Sequence, residues 1–95
     1  MIKHIVMFQL KEKNEHTLQQ LVSALESLAE NIETLQFLEV GVDFRNTERS
    51  YDVVLTTHFA NSQDLQTYAE HPKHLPVVEL VREICSHSIV IDYEC

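Results

Sequence analysis

The chain is short of the residues on which several large function classes depend. It holds one glycine, Gly41, in 95 residues. A P-loop and a dinucleotide-binding fingerprint each need several glycines at fixed spacing, so both are excluded. Its two cysteines, Cys85 and Cys95, cannot build a Cys-x-x-Cys pair or a four-cysteine zinc site. Lys and Arg number 7 against 15 Asp and Glu, a net charge of −8. That sign repels phosphate backbones and no basic run offsets it, which argues against a nucleic-acid partner. No apolar run approaches the roughly 18 residues needed to span a bilayer. The opening MIKHIVMFQLK alternates polar and apolar residues and has no small-residue cleavage site, so it does not read as a signal peptide. The expectation is a soluble, cytoplasmic protein with reduced thiols and no membrane partner. Ninety-five residues make one domain, 1–95, able to bury roughly two thirds of its extended-state surface.

Local patterning supplies the elements. Ile2–Lys11 reads as a strand with His4, Val6, Phe8 and Leu10 on one face and Ile5 and Met7 on the other. Asn14 can cap a helix running to about Ala29, with Leu18, Leu21, Val22, Leu25, Leu28 and Ala29 as its apolar stripe. Phe37–Arg45 and Tyr51–Phe59 read as a hairpin across the polar turn Asn46–Ser50, and Gly41 inside the first of these strands predicts a bulge or a close backbone approach. Asn61 and Asp64 resemble a capping box opening a short helix, Ser62–Glu70, with Leu65, Tyr68 and Ala69 facing inward. Pro72 ends it. A second short helix spans about Pro76 to Ser86 on a stripe of Val77, Val78, Val81, Ile84 and Cys85, and the last strand is His87–Glu94.

The order β-α-β-β-α-α-β is the ferredoxin-like α+β arrangement with its second helix broken in two. Helices cover one face of such a four-stranded antiparallel sheet. The other face carries Ile5, Met7, Phe37, Val54, Ile89, Ile91 and Tyr93, an apolar patch too large for a monomer to expose. Two sheets packed face to face would bury it, giving a two-fold homodimer.

Chemistry rests on the histidines, of which there are six. His16, His58, His71 and His87 sit where solvent or loose backbone groups satisfy them. His4 shares the helix-facing side of its strand, so it is either a core histidine bonded to backbone or water, or a residue lining a pocket. Tyr68 and His74 flank the helix break, where a gap in the covering layer leaves room for a pocket with one acid and one base. Against that stands simple packing of Tyr68 and a capping role for His74. His71 and His74 lack a third ligand, which argues against a transition metal. Cys85 falls on a buried stripe and Cys95 at the terminus, which argues against a Cys–His nucleophile or a disulfide. Parity and stripes predict a pocket lined by His4, Val6, Phe8, Leu25, Leu55, Tyr68, His74 and Val78.

The opening Ile2-Lys3-His4-Ile5-Val6, the strand start Tyr51-Asp52-Val53-Val54, the segment Tyr68-Ala69-Glu70-His71-Pro72-Lys73-His74 and the closing Val90-Ile91-Asp92-Tyr93-Glu94 together resemble the stress-responsive A/B barrel domain (Dabb) family. The resemblance covers nearly the whole chain in order. It implies a dimeric α/β barrel. Plant polyketide cyclases of that family close a linear poly-β-ketone by aldol condensation without a cofactor. They use the tyrosine and last histidine of the Y-x-x-H-P-x-H segment, with the first-strand histidine lining the pocket. Those positions are Tyr68, His74 and His4. A further pocket histidine on the third strand of such a cyclase corresponds here to Val53. Some plant members hold magnesium near the first helix, but no acidic cluster argues for it in this chain. Two functional classes follow: a cofactor-independent cyclase, lyase or isomerase acting on a hydrophobic carbonyl compound, or a non-enzymatic stress-associated protein that binds a small apolar ligand. By fold alone, a cofactor-free oxygenase is a third.

Overall fold

The computed structural model describes residues 1–95. Its elements run β1 (Ile2–Leu10), α1 (Glu15–Glu26), α2 (Leu28–Asn31), β2 (Phe37–Val42), β3 (Val53–Phe59), α3 (Ser62–Glu70), α4 (Leu75–Ile84) and β4 (Cys85–Glu94). The strands form one antiparallel sheet in the order β2-β3-β1-β4. This is the ferredoxin-like α+β fold.

Period-2 alternation decides which side chains meet the helices. β3 alternates strictly, with Val53, Leu55, Thr57 and Phe59 buried and the residues between them partly exposed. Phe8 and Leu10 from β1 join them, and the stripe Leu21, Leu25 and Leu28 closes over the top. Asn14 caps α1: its side chain accepts from the Thr17 backbone N–H at 2.9 Å while its own N–H donates to the Thr17 hydroxyl at 3.1 Å. Asn61 accepts from the Asp64 N–H at 2.8 Å, but Asp64 returns no bond, so only half of the expected box forms at α3.

Several boundaries differ from the patterned expectation. The first helix does not run unbroken to Ala29: it stops at Glu26, and one further turn follows from Leu28. Ala29 and Ala69 are exposed, and Ala24 packs against the core instead. The hairpin strands end at Val42 and restart at Val53, leaving Phe44 91% exposed in the connection. The Asp52 carboxylate accepts from the Leu10 N–H at 2.8 Å, its own N–H donates to the Phe8 carbonyl at 2.8 Å, and Lys13 lies 3.5 Å from it. The carboxylate thereby ties the start of β3 to the end of β1. Gly41 makes no bulge, since the β2–β3 register is continuous. A Cβ there would stand 3.1 Å from the Val54 side chain, so the close approach is the operative reason for glycine. The irregularity falls instead between Gln9 and Leu10, where β1 meets β4, and β4 begins at Cys85, two residues before the expected start.

The opposite face of the sheet is bare. Met7, Phe37, Ile89, Ile91 and Tyr93 are exposed there, with Ile5 and Val54 partly so. Both cysteines are free thiols. No helix is long and apolar enough to cross a membrane.

Candidate functional site

A cavity of about 330 Å³ opens between the sheet and the broken helical layer. β1 supplies His4, Val6 and Phe8, β3 supplies Leu55, and Leu25 and Leu28 come from α1 and α2. Tyr68 projects from α3, and α4 adds Val77, Val78, Val81 and Arg82, with His74 at its N-cap. Ser88 and Val90 complete it from β4. All eight residues expected from parity and stripe therefore lie around one cavity. Leu28, Val77, Val81, Arg82, Ser88 and Val90 were not anticipated.

The polar groups are held by identifiable bonds. His74 and Tyr68 pack with ring centroids 4.5 Å apart and planes tilted by 43°, and His4 meets Tyr68 edge-on at 6.1 Å. The His74 Nδ1 lies 3.2 Å from the Ala69 carbonyl, a group freed where α3 gives out. A carbonyl only accepts, so Nδ1 carries the proton and Nε2 keeps its lone pair in the neutral ring. Burial pulls the His74 pKa below its ordinary 6.5. The Ala69 bond opposes this, and the His4 and His71 charges add to it. Tyr68 is 1% exposed, not at the mouth of the cavity, and its hydroxyl has no hydrogen-bonding partner in the chain. Burial pushes its pKa up to about 12, so the hydroxyl keeps its proton at neutral pH and acts as a donor.

His4 is partnered by a residue the sequence reading did not single out. Its Nδ1 bonds to the Asp92 carboxylate on β4. Asp92 shares strand parity with Ser88 and Val90, and β4 pairs with β1 so that Asp92 stands opposite His4. The parity was readable, but the register that joins residues 88 positions apart is a tertiary fact. The remaining histidines do not line this cavity. His58 stacks on Phe37 at 4.5 Å on the bare face, His71 accepts the Lys73 N–H at 3.0 Å, His87 lies by Ser86, and His16 is exposed on α1.

No group of three or more His, Cys, Asp or Glu side chains is arranged to hold a metal ion. A wider groove of about 610 Å³ lies on the bare face by the hairpin, between Met7, Gly41, Phe44, Tyr51 and Ile89. It contains no histidine, so the smaller cavity is the one that joins apolar walls to the Tyr68–His74 pair.

The model of the stress responsive A/B barrel domain family matches residues 2–95. The chain belongs to that family. An uncharacterized protein of Streptomyces coelicolor is 31% identical over 97 residues, covering 99% of each chain. A dimeric protein of unknown function and ferredoxin-like fold from Bacteroides fragilis is 29% identical, with a TM-score of 0.84 over 99% of this chain and 95% of that one. At 14% identity a hydroxynitrile lyase from Passiflora edulis aligns with a TM-score of 0.84 over 97% of this chain and 90% of its own, which shows likeness of fold. The family and the ferredoxin-like architecture expected from the sequence thus both hold.

Proposed function

We propose that this family member is a cofactor-independent enzyme acting on a hydrophobic carbonyl compound, of the cyclase, lyase or isomerase type. One observation carries the reading: a buried tyrosine hydroxyl without a protein partner, its ring packed beside a histidine held neutral, in an apolar cavity. In this scheme His74 Nε2 removes a proton from the carbon next to the carbonyl. The C–H electron pair moves into the carbon–carbon bond and the carbonyl π pair onto oxygen. Tyr68 donates a hydrogen bond to that developing enolate oxygen. The enolate then takes the proton back at another position, or attacks a second carbonyl of the same chain. His4, fixed by Asp92, packs against the Tyr68 edge and holds it in place. The fold also serves a hydroxynitrile lyase, so it is compatible with enzymatic use. A binding protein for an apolar ligand would need the walls alone and not the titrating pair.

The test is exchange of the α-hydrogens of 2-decanone with heavy water, followed by NMR. Wild-type protein should accelerate exchange, and His74→Ala should lower the rate about 100-fold, the usual scale for loss of a general base. Tyr68→Phe should also lower it, by loss of the oxygen donor. Exchange no faster than in buffer, or unchanged in His74→Ala, would remove the enzymatic reading and leave ligand binding.

We also infer that two copies pair through the bare sheet face. Its exposed Met7, Phe37, Ile89, Ile91 and Tyr93 form a connected apolar surface, and the Bacteroides fragilis relative is itself dimeric.

A further inference from the structure

The cavity has two polar ends. α4 runs away from the His4–Tyr68–His74 cluster, because His74 is its N-cap and touches Tyr68. It finishes near the end of β1, where the Lys11 N–H donates to the Ile84 carbonyl at 2.9 Å. Arg82 in its last turn therefore sits at the far end from the cluster, eight residues and about 12 Å along the helix axis from His74. The strands below repeat this spacing. Asp92 stands opposite His4 and Ser88 stands opposite Phe8, four residues or about 13 Å further on. Between the two ends the lining is apolar: Val6, Leu28, Val77, Val78, Val81 and Val90.

Arg82 is also free to bind. The chain's ion pairs join His4 to Asp92 and Lys13 to Asp52, and neither uses Arg82. Ser88, on β4, also lines the cavity. A guanidinium and a hydroxyl at one end of an apolar channel make a receptor for a carboxylate or a similar small anion.

We propose that the cavity takes an elongated amphipathic monoanion. Its carboxylate lies against Arg82 and Ser88, its apolar chain of roughly eight to ten carbons fills the ~12 Å between, and its carbonyl reaches Tyr68 and His74. The last part rests on the enzymatic reading above, whereas the anion end stands on Arg82 and Ser88. The net charge of −8 repels anions in general, so a preference for an anionic ligand has to come from a local site.

Calorimetric titration with decanoate and with its uncharged counterpart 1-decanol separates the possibilities. Wild-type protein should bind decanoate at least about tenfold more tightly than decanol, the scale of one charge-assisted contact. Arg82→Gln, an exposed position whose change leaves the core intact, should erase that preference and leave decanol binding and the melting temperature as they were. Equal binding of the two ligands by wild type, or a preference that survives Arg82→Gln, would overturn the inference. Arg82 would then serve only the negative C-terminal end of α4. In that case 2-decanone exchange would still proceed and the enzymatic reading would stand. Binding of neither ligand would overturn both this inference and the view of the cavity as a ligand site.

Discussion

At the residue scale, Tyr68 and His74 are placed at a cost to stability. A buried hydroxyl without a partner is unfavourable, because water has been removed and nothing replaces it. Tyr68→Phe should therefore leave the folded state as stable as wild type or raise it by about 1 kcal/mol. Urea unfolding checks this, and a loss of stability would mean that the hydroxyl is satisfied after all. His74 gives a pH signature. Its pKa in the folded state lies below the 6.5 of the unfolded chain. Above 6.5 both states hold the ring neutral and its effect on stability vanishes. Below 6.5 the unfolded chain binds the proton first, so stability falls with falling pH until the folded ring also protonates. Unfolding curves of wild type should show this slope, and His74→Gln should flatten it. A His74→Gln profile parallel to wild type would count against the burial argument.

At the element scale, the first helix depends on its start. Asn14 satisfies one orphan N–H and Thr17 answers it, in a segment with no basic residue in its last turn to favour the other end. Asn14→Ala should cost about 1 kcal/mol. Circular dichroism during thermal melting measures it, and an unchanged midpoint would show that packing of Leu21 and Leu25 carries the helix alone. The break between α3 and α4 matters for a different reason. Pro72 stops α3 near the Ala69 carbonyl, and that carbonyl then orients His74. The helix end that the proline creates is what fixes the tautomer of the proposed base.

At the scale of the whole molecule, the isolated chain buries few residues: 14 of 95. A small core beside a bare apolar face is the balance expected of a protomer that completes its burial on pairing. Ile89→Lys places a charge on that face, on the edge strand β4 next to Met7 across the strand pair. Sedimentation should find wild type dimeric and Ile89→Lys monomeric or aggregated. A variant that stays dimeric at low micromolar concentration would move the interface elsewhere. His58 stacked on Phe37 and the wide groove by the hairpin lie on this same face, so pairing would cover them both.

The sequence by itself determined what depends on local repeats. The two-residue period put His4, Val6 and Phe8 on one side and Ile5 and Met7 on the other. The helical stripe aimed Leu25 at the sheet, and Pro72 set Tyr68 and His74 on either side of a break. Fold and family were legible because these signals recur in one order along the chain, and the cavity residues because parity and stripe converge on one layer. What only the tertiary structure decided comes from pairing between distant segments. Register between β1 and β4 brought Asp92 to His4, and the packing of α4 on those strands put Arg82 and Ser88 at the far end of the cavity. The bond from the Leu10 N–H to the Asp52 carboxylate also joins residues 42 positions apart. The buried, unpartnered state of the Tyr68 hydroxyl is likewise invisible in a linear pattern. Propensity and periodicity act within a few neighbouring residues, whereas a hydrogen bond across 88 positions exists only once the sheet has closed.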